Sequence, residues 1–241
     1  LFSSGRPIAG RAMLGARSAA QQALEDKTTV DTLWDAVGVA RADSAIVDVA
    51  EAPAAHRQLD AGLGTVWAAD NSEGHNGAAQ GTVWVRSDPA AALPRFAKHQ
   101  QVRVMPFLEG IPCSIHGFVF PDRTITLRPC EMVVLRRGSE LVYGRVATFW
   151  DPPQADRAAM RQLAQNTGDY LRATCGYRGA FTIDGVMAAD GFRPTELNPR
   201  YGAGLYVINA SLPRLPLYLL NLAVVEGLAL DYQPEALEQL V

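Results

Sequence analysis

The stretch AFTIDGVMAADGFRPTELNPR, residues 180–200, decides how this chain is read. Apolar and β-branched residues alternate with polar ones on either side of Ala189, Asp190 and Gly191, the pattern of two strands joined by a tight turn. Register sets the chemistry, because a slip of one residue turns every side chain to the opposite face. A loop of only Asp190 and Gly191 places Gly185 opposite Glu196 and turns Asp184 to the wrong side. A three-residue loop, with Gly191 in the left-handed position, predicts Asp184 directly opposite Glu196, and the two-residue period adds Asn198 to that face.

Two ionised carboxylates side by side repel, and one has its pKa raised unless a cation lies between them. Two acids and an amide oxygen suit a hard divalent ion, Mg²⁺ or Mn²⁺, that keeps positions open for phosphate oxygens. Arg200 follows two positions later, placed to reach phosphates rather than the ion. The competing reading is a solvated hairpin face on which acids and an amide fall together by chance.

Outward from this hairpin, strands and helices alternate. LRATCG closes a helical stretch over 155–176 in which Met160, Leu163, Ala164, Thr167, Leu171 and Thr174 share one face, and Gly176 ends it. Upstream, VRVMPFLEG (102–110), PCSIHGFVF (112–120) and TITLRPCEMVVLRRG (124–138) read as strands, as do GTVWAAD (64–70) and GTVWVRS (81–87), paired across the Gly/Asn/Ser loop NSEGHNGAAQ. In EDKTTVDTLWDAVG (25–38), Val30, Leu33, Trp34 and Val37 make a helical face with Asp26 as N-cap and Gly38 as stop. PRLPLYLLNLAVVEG (213–227) is apolar nearly all round and reads as a buried helix, and the tail DYQPEALEQLV as surface helix or loop. Cys113 and His116 lie three apart on a strand, so alternation sends them to opposite faces and removes a Cys/His catalytic pair.

Composition bounds the rest. The 241 residues are 48% hydrophobic and 20% charged, enough for a full core. A formal net charge of -3 gives no general pull towards nucleic acid or an anionic membrane, so a bound phosphate needs a local site. Three cysteines with no CxxC pair suit a reducing cytoplasm, and no stretch is long and apolar enough to span a bilayer. The chain starts at Leu1, which reads as a fragment or a lost start.

From about residue 21 to 227 the chain resembles the ATP-grasp superfamily of carboxylate ligases, which includes D-alanine:D-alanine ligase, biotin carboxylase and amino-acid or peptide ligases. LEDKTTVDTLWDAVGV, VMPFLEGIPCSI, RGAFTIDG and TELNPRYGAG carry the likeness, in the family's order and approximate spacing. The resemblance implies an α+β fold of two subdomains, 21–108 and 109–241, clamping ATP. Residues 1–20 would be a remnant or linker of an N-terminal domain that is mostly absent. Carried over, Lys27 is the phosphate-contacting lysine. Met105, Pro106, Phe107, Leu108 and Glu109 are the hinge around adenine, with the Pro106 carbonyl and the Leu108 amide as its partners. Asp184, Glu196 and Asn198 are the metal ligands, and Arg178 and Arg200 are the catalytic arginines beside the transferring phosphate and the reacting carboxyl group. For Lys27 the alternative is a surface lysine, for the hinge a plain buried strand, and for the arginines surface ion pairs.

The sequence departs from the family where a second phosphate lysine is expected, at Ala68 and Ala69, and where a ribose-binding acid is expected, at Pro112. Glu109 or Glu131 is left to replace that acid. Gly74, His75, Asn76 and Gly77 are loop candidates for phosphate, and Gly202 and Gly204 are candidates for letting substrate approach the backbone. The implied activity joins a small-molecule carboxylate, an amino acid or peptide, to an amine through an acyl phosphate, with ATP and Mg²⁺. Nucleic-acid and membrane partners are not expected, and a homodimer is allowed. A kinase on the same fold and a nucleotide-binding regulatory module remain as alternatives.

Overall fold

A computed structural model describes residues 9–11, 13–15, 17–74, 81–147, 150–212, 214–231 and 233–240. In chain order the elements are α1 (Ala19–Ala23), α2 (Val30–Ala36), β1 (Ala45–Asp48), α3 (Ala52–Leu59), β2 (Thr65–Ala69), β3 (Thr82–Val85), β4 (Gln101–Pro106) and β5 (Ile111–Val119). There follow β6 (Thr124–Thr126), β7 (Cys130–Arg137), β8 (Glu140–Ala147), α4 (Gln154–Cys175), β9 (Gly179–Ala188), β10 (Gly191–Asn198), α5 (Ala203–Ser211), α6 (Leu217–Val225) and α7 (Pro234–Leu240). The strands form one sheet in the order β1-β4-β2-β3-β8-β7-β5-β9-β10, with β6 paired to β5.

The first half of the chain builds β1–β4 with α3, over a core of Trp67, Phe96, Val102 and Val104. The second half builds β5–β10, with α4 on one face over Met160, Phe181 and Leu197 and with α5–α7 over Phe118, Leu205 and Leu217. A single residue pair, Val83 with Glu140, joins β3 to β8 and makes the sheet continuous. Helix α2 crosses between the halves, since Val30, Leu33 and Trp34 pack into the core under α4.

Several expectations change. The hairpin does not use a three-residue loop: Gly191 pairs with Ala188, so the turn is only Ala189 and Asp190, with Gly191 at φ 113°. A β-bulge between Pro194 and Glu196 then absorbs Thr195, and only this extra residue brings Glu196 opposite Asp184. The predicted juxtaposition holds, by a different route. Helix α2 is capped at Thr29, not Asp26, because the Asp26 carboxylate closes a turn by accepting from Thr28 N and Oγ1 and reaches across to the Asn71 amide.

On α4 the buried face is as spaced up to Leu171, but Thr174 is exposed and its hydroxyl donates back to the Tyr170 carbonyl. Helix α6 is not buried all round. Only Leu217, Asn221 and Val224 are covered, and Leu219 is 63% exposed, because a helix in an outer layer has a sheet on one side only. The tail helix α7 is tied down, with Glu238 accepting from the Thr126 amide and hydroxyl and from Arg161.

One buried ion pair fastens the hairpin to the first half. Arg103 on β4 is fully buried, donates through Nε and an Nη to the two Asp31 oxygens at 2.9 and 2.6 Å, and sends its other Nη to the carbonyl of the bulge residue Thr195 at 3.2 Å. Replacing Asp31 with Ala leaves that guanidinium without its counter-ion, and is expected to lower the unfolding free energy by about 3–5 kcal/mol in urea titrations. The double change Asp31→Ala with Arg103→Met is expected to recover most of the loss.

Candidate nucleotide and metal site

Asp184 and Glu196 face each other across β9 and β10, and Asn198 completes the row. The Asn198 amide nitrogen donates to Asp184 Oδ2 at 2.8 Å, and its Oδ1 accepts from Arg200 at 2.7 Å. Arg200 Nε in turn donates to Glu25 Oε1 at 2.9 Å, which also pairs with Arg17. Lys27, only 6% exposed, places Nζ 3.3 Å from Glu196 Oε1. The result is a row of charged groups from Lys27 to Arg17 in which the two acids Glu196 and Asp184 are neighbours, flanked by cations at either end.

Asp184 carries the strain of this arrangement. Burial, followed by the Glu196 charge, pushes its carboxyl from 3.8 up to about 7, while Ser114, Arg200 and Lys27 act the other way. An acid so raised is one that a divalent cation would return to its ionised form. Among the described residues no group of three or more His, Cys, Asp and Glu side chains could hold an ion. Two acids and an amide are thus an open ligand set rather than a cage, which fits an ion that also takes phosphate oxygens. The Asn198 oxygen has two lone pairs, so it can accept from Arg200 and still face an ion.

Two cavities meet at this row. One, of about 480 Å³, runs from Lys27 and Glu196 to the segment after β4, and is lined by Met105, Phe107, Leu108 and Glu109. Pro106 is not in its wall; it pairs with Thr65. The Phe107 amide is taken by the Gly64 carbonyl at 3.0 Å, whereas the Leu108 amide has no partner among the described residues. The other cavity, of about 260 Å³, lies on Asp184, Asn198 and Arg200 and is closed by Tyr143 and the start of α5.

Arg178 is not brought to this row. It lines a third cavity, behind Arg200. Ala68 lines the large cleft where the second lysine is expected, and the cations of that cleft among the described residues are Lys27 and Arg136. Pro112 and Glu109 both border the cleft and Glu131 does not. Gly74 is described; His75, Asn76 and Gly77 lie outside the described residues.

Gly202 and Gly204 are small for an internal reason. A Cβ at Gly204 would come 2.3 Å from His116 Nε2, and one at Gly202 would come 2.6 Å from Thr182 Oγ1. His116 is fully buried beneath them, bonded to Thr182, and burial holds its pKa down to about 4.

Other contributors carried no legible signal. Glu25, 2% exposed, joins Arg17 to Arg200, yet nothing in LEDK separates it from a surface acid. Trp84 stacks on Phe107 at 4.0 Å between ring centres, with Arg86 and Arg136 over its ring, although β3 and the Phe107 segment lie more than twenty residues apart. Asp70 anchors the loop after β2. Burial alone would raise its carboxyl, but hydrogen bonds from Ser72, the Gln101 amide and His99 hold it down to about 2.

No protein-family model and no curated protein matches the chain. Solved structures do match it. The N5-carboxyaminoimidazole synthase of Aspergillus clavatus, in complex with ADP and 5-aminoimidazole ribonucleotide, superposes with a TM-score of 0.69 at 16% identity, over 91% of this chain and 56% of that one. The biotin carboxylase domain of the Hydrogenobacter thermophilus 2-oxoglutarate carboxylase, with MgADP, ADP and bicarbonate, gives 0.69 at 17% identity, over 89% and 48%. The D-Ala:D-Ser ligase VanG of Enterococcus faecalis gives 0.65 at 15% identity, over 89% and 65%. The chain has the α+β ATP-grasp fold, and spans about half the length of the first two of these proteins.

Because the fold keeps the Asp184 proton to a higher pH than the unfolded chain does, its loss weighs against folding as pH rises from about 4 to 7. Asp184→Asn is therefore expected to gain stability over the native protein across that window, with a constant difference below it. Urea unfolding at pH 4, 5.5 and 7 without divalent ions, as order-of-magnitude steps across the window, reads the trend.

Proposed function

We propose that this chain is the catalytic part of an ATP-dependent ligase that joins a carboxylate, an amino acid or peptide, to an amine through an acyl phosphate. The observation that carries this reading is the convergence of Asp184, Glu196, Asn198 and Lys27 where the large cleft meets the cavity at Arg200. The fold supports it, and so do the ligases and carboxylases that share that fold. No helix among the described residues is long and apolar enough to cross a membrane.

In this reading residues 21–108 and 109–241 are two halves that close on the nucleotide, hinged between β4 and β5. The base lies against Met105 and the Trp84–Phe107 stack, with the Leu108 amide as donor. Lys27 turns from Glu196 to the phosphates. Asp184, Glu196 and Asn198 would hold Mg²⁺, which would supply positive charge to offset the negative charge that builds during phosphoryl transfer. Arg200 orients the acid in the cavity of about 260 Å³.

A carboxylate oxygen attacks the terminal phosphorus, the bond from that phosphorus to the ADP oxygen breaks, and ADP leaves. The amine nitrogen then attacks the acyl carbon, the bond to phosphate breaks, and the amine gives up a proton. Arg200 stabilises the oxyanion charge in both steps.

Incubation with ATP, Mg²⁺, pooled carboxylic acids and hydroxylamine is expected to yield hydroxamate and ADP. ADP without hydroxamate would point to hydroxyl phosphorylation, and no ADP with any acid to a regulatory module. Glu196→Gln and Asn198→Ala are expected to abolish Mg²⁺-dependent ADP release while the far-ultraviolet circular dichroism is unchanged; full activity in either removes the ligand assignment. Lys27→Ala is expected to weaken ATP about 10- to 100-fold in tryptophan-fluorescence titrations, the loss of one hydrogen-bonded charge.

A further inference from the structure

Behind Arg200, on the side away from Asp184, lies the third cavity, of about 130 Å³. Arg17, Arg178 and Arg200 line it, and no Asp or Glu does. Glu25 pairs with Arg17 and Arg200, but Arg178 is exposed and has no ion-pair partner among the described residues. The cavity is therefore cationic, with one guanidinium uncommitted.

Asn221 points to the same kind of ligand independently. It is only 8% exposed, and its Oδ1 accepts the Ala180 amide at 2.8 Å. That bond fixes which end of the amide is the donor. The Asn221 nitrogen is left at the cavity wall with no hydrogen-bond partner among the described residues, a donor available to an acceptor in the cavity.

The remaining wall is aromatic. Tyr201, Tyr206 and Tyr218 pack ring to ring with centres 4.8, 5.3 and 5.9 Å apart. The Tyr201 hydroxyl donates to the Leu205 carbonyl at 3.1 Å, whereas those of Tyr206 and Tyr218 have no partner among the described residues. Tyr206 is 45% exposed, so its ring face is open to a guest. The volume, about 130 Å³, is close to the roughly 150 Å³ known to hold a benzene ring.

We infer that this cavity is a substrate subsite for a small aromatic acid that bears a second anionic group. The reacting carboxylate sits at Arg200, which borders both this cavity and the one at Asp184. The ring lies on Tyr206 and Tyr218, where offset or edge-on aromatic packing is favourable. The remote anion is held by Arg178 and the Asn221 amide. This assignment rests on the ligase reading for the identity of the reacting group, and on the cavity itself for the rest.

Calorimetric titration of the full chain without nucleotide tests it, using 4-carboxyphenylacetate, adipate and phenylacetate as probes. The aromatic diacid is expected to bind at least about tenfold more tightly than either of the others. Arg178→Gln should erase its advantage over phenylacetate, and Tyr206→Leu its advantage over adipate. Both changes lie at exposed side chains and should leave ADP affinity as it is. Equal binding of the three acids, no binding of the diacid, or undiminished binding in Arg178→Gln overturns the subsite. ADP release with the diacid, ATP and hydroxylamine is scored separately: tight diacid binding without ADP release supports the subsite and overturns the ligase reading.

Discussion

Two carboxylates forced to face each other on adjacent strands set the terms for everything around them. The frame left by the two-residue turn would put Thr195 opposite Asp184, and the bulge replaces it with Glu196. A bulge is an unpaired residue with spare hydrogen-bonding groups, and here the carbonyl and the side-chain hydroxyl of Thr195 are both used. The Thr195 hydroxyl donates to the Asp184 carbonyl, and its own carbonyl accepts from Arg103. Arg103 is held by Asp31 of α2, so a buried ion pair in the first half of the chain fixes the register of the last hairpin. A buried pair of this kind adds little net stability, but it specifies one arrangement.

The electrostatics follow from that geometry. Acids brought this close require cations, and Lys27 and Arg200 come from opposite ends of the chain to supply them. Asn198 lies between Asp184 and Arg200, turning its nitrogen to the acid and its oxygen to the base. The amide therefore lets like and unlike charges share a small volume without direct contact. In the proposed reading a divalent ion entering the row would take over the task of Lys27 and release it towards phosphate, which would link metal binding to nucleotide binding by charge alone.

Arg200 has a second importance. It is a wall of two cavities, one at the acids and one among the tyrosines. A group that borders both can orient a molecule whose reactive end lies in one and whose recognition end lies in the other. The fold is shared with proteins solved with different small molecules, so in the proposed reading selectivity would fall to what this chain has placed behind Arg200: Arg178, Asn221 and three tyrosines.

What the sequence determined by itself was local. Strand alternation and its turn residues were sufficient to pair β9 with β10 and to put Glu196 and Asn198 on one face of β10, since side chains that alternate every two residues declare their side without knowledge of neighbours, whereas bringing Asp184 opposite Glu196 took the bulge at Thr195. Even so, the bulge was invisible, because a single inserted residue changes register without changing composition. The helical spacing of α4 was legible for the same reason, but how far a sheet covers that helix is not encoded in the spacing, and Thr174 is exposed. Contacts between distant segments were beyond local reading. Glu25 with Arg200, Trp84 with Phe107, Arg103 with the Thr195 carbonyl and the separation of Arg178 from the acids depend on how the elements pack. Periodicity tells a side chain which face to take, and only the closing of one element over another decides what it meets there.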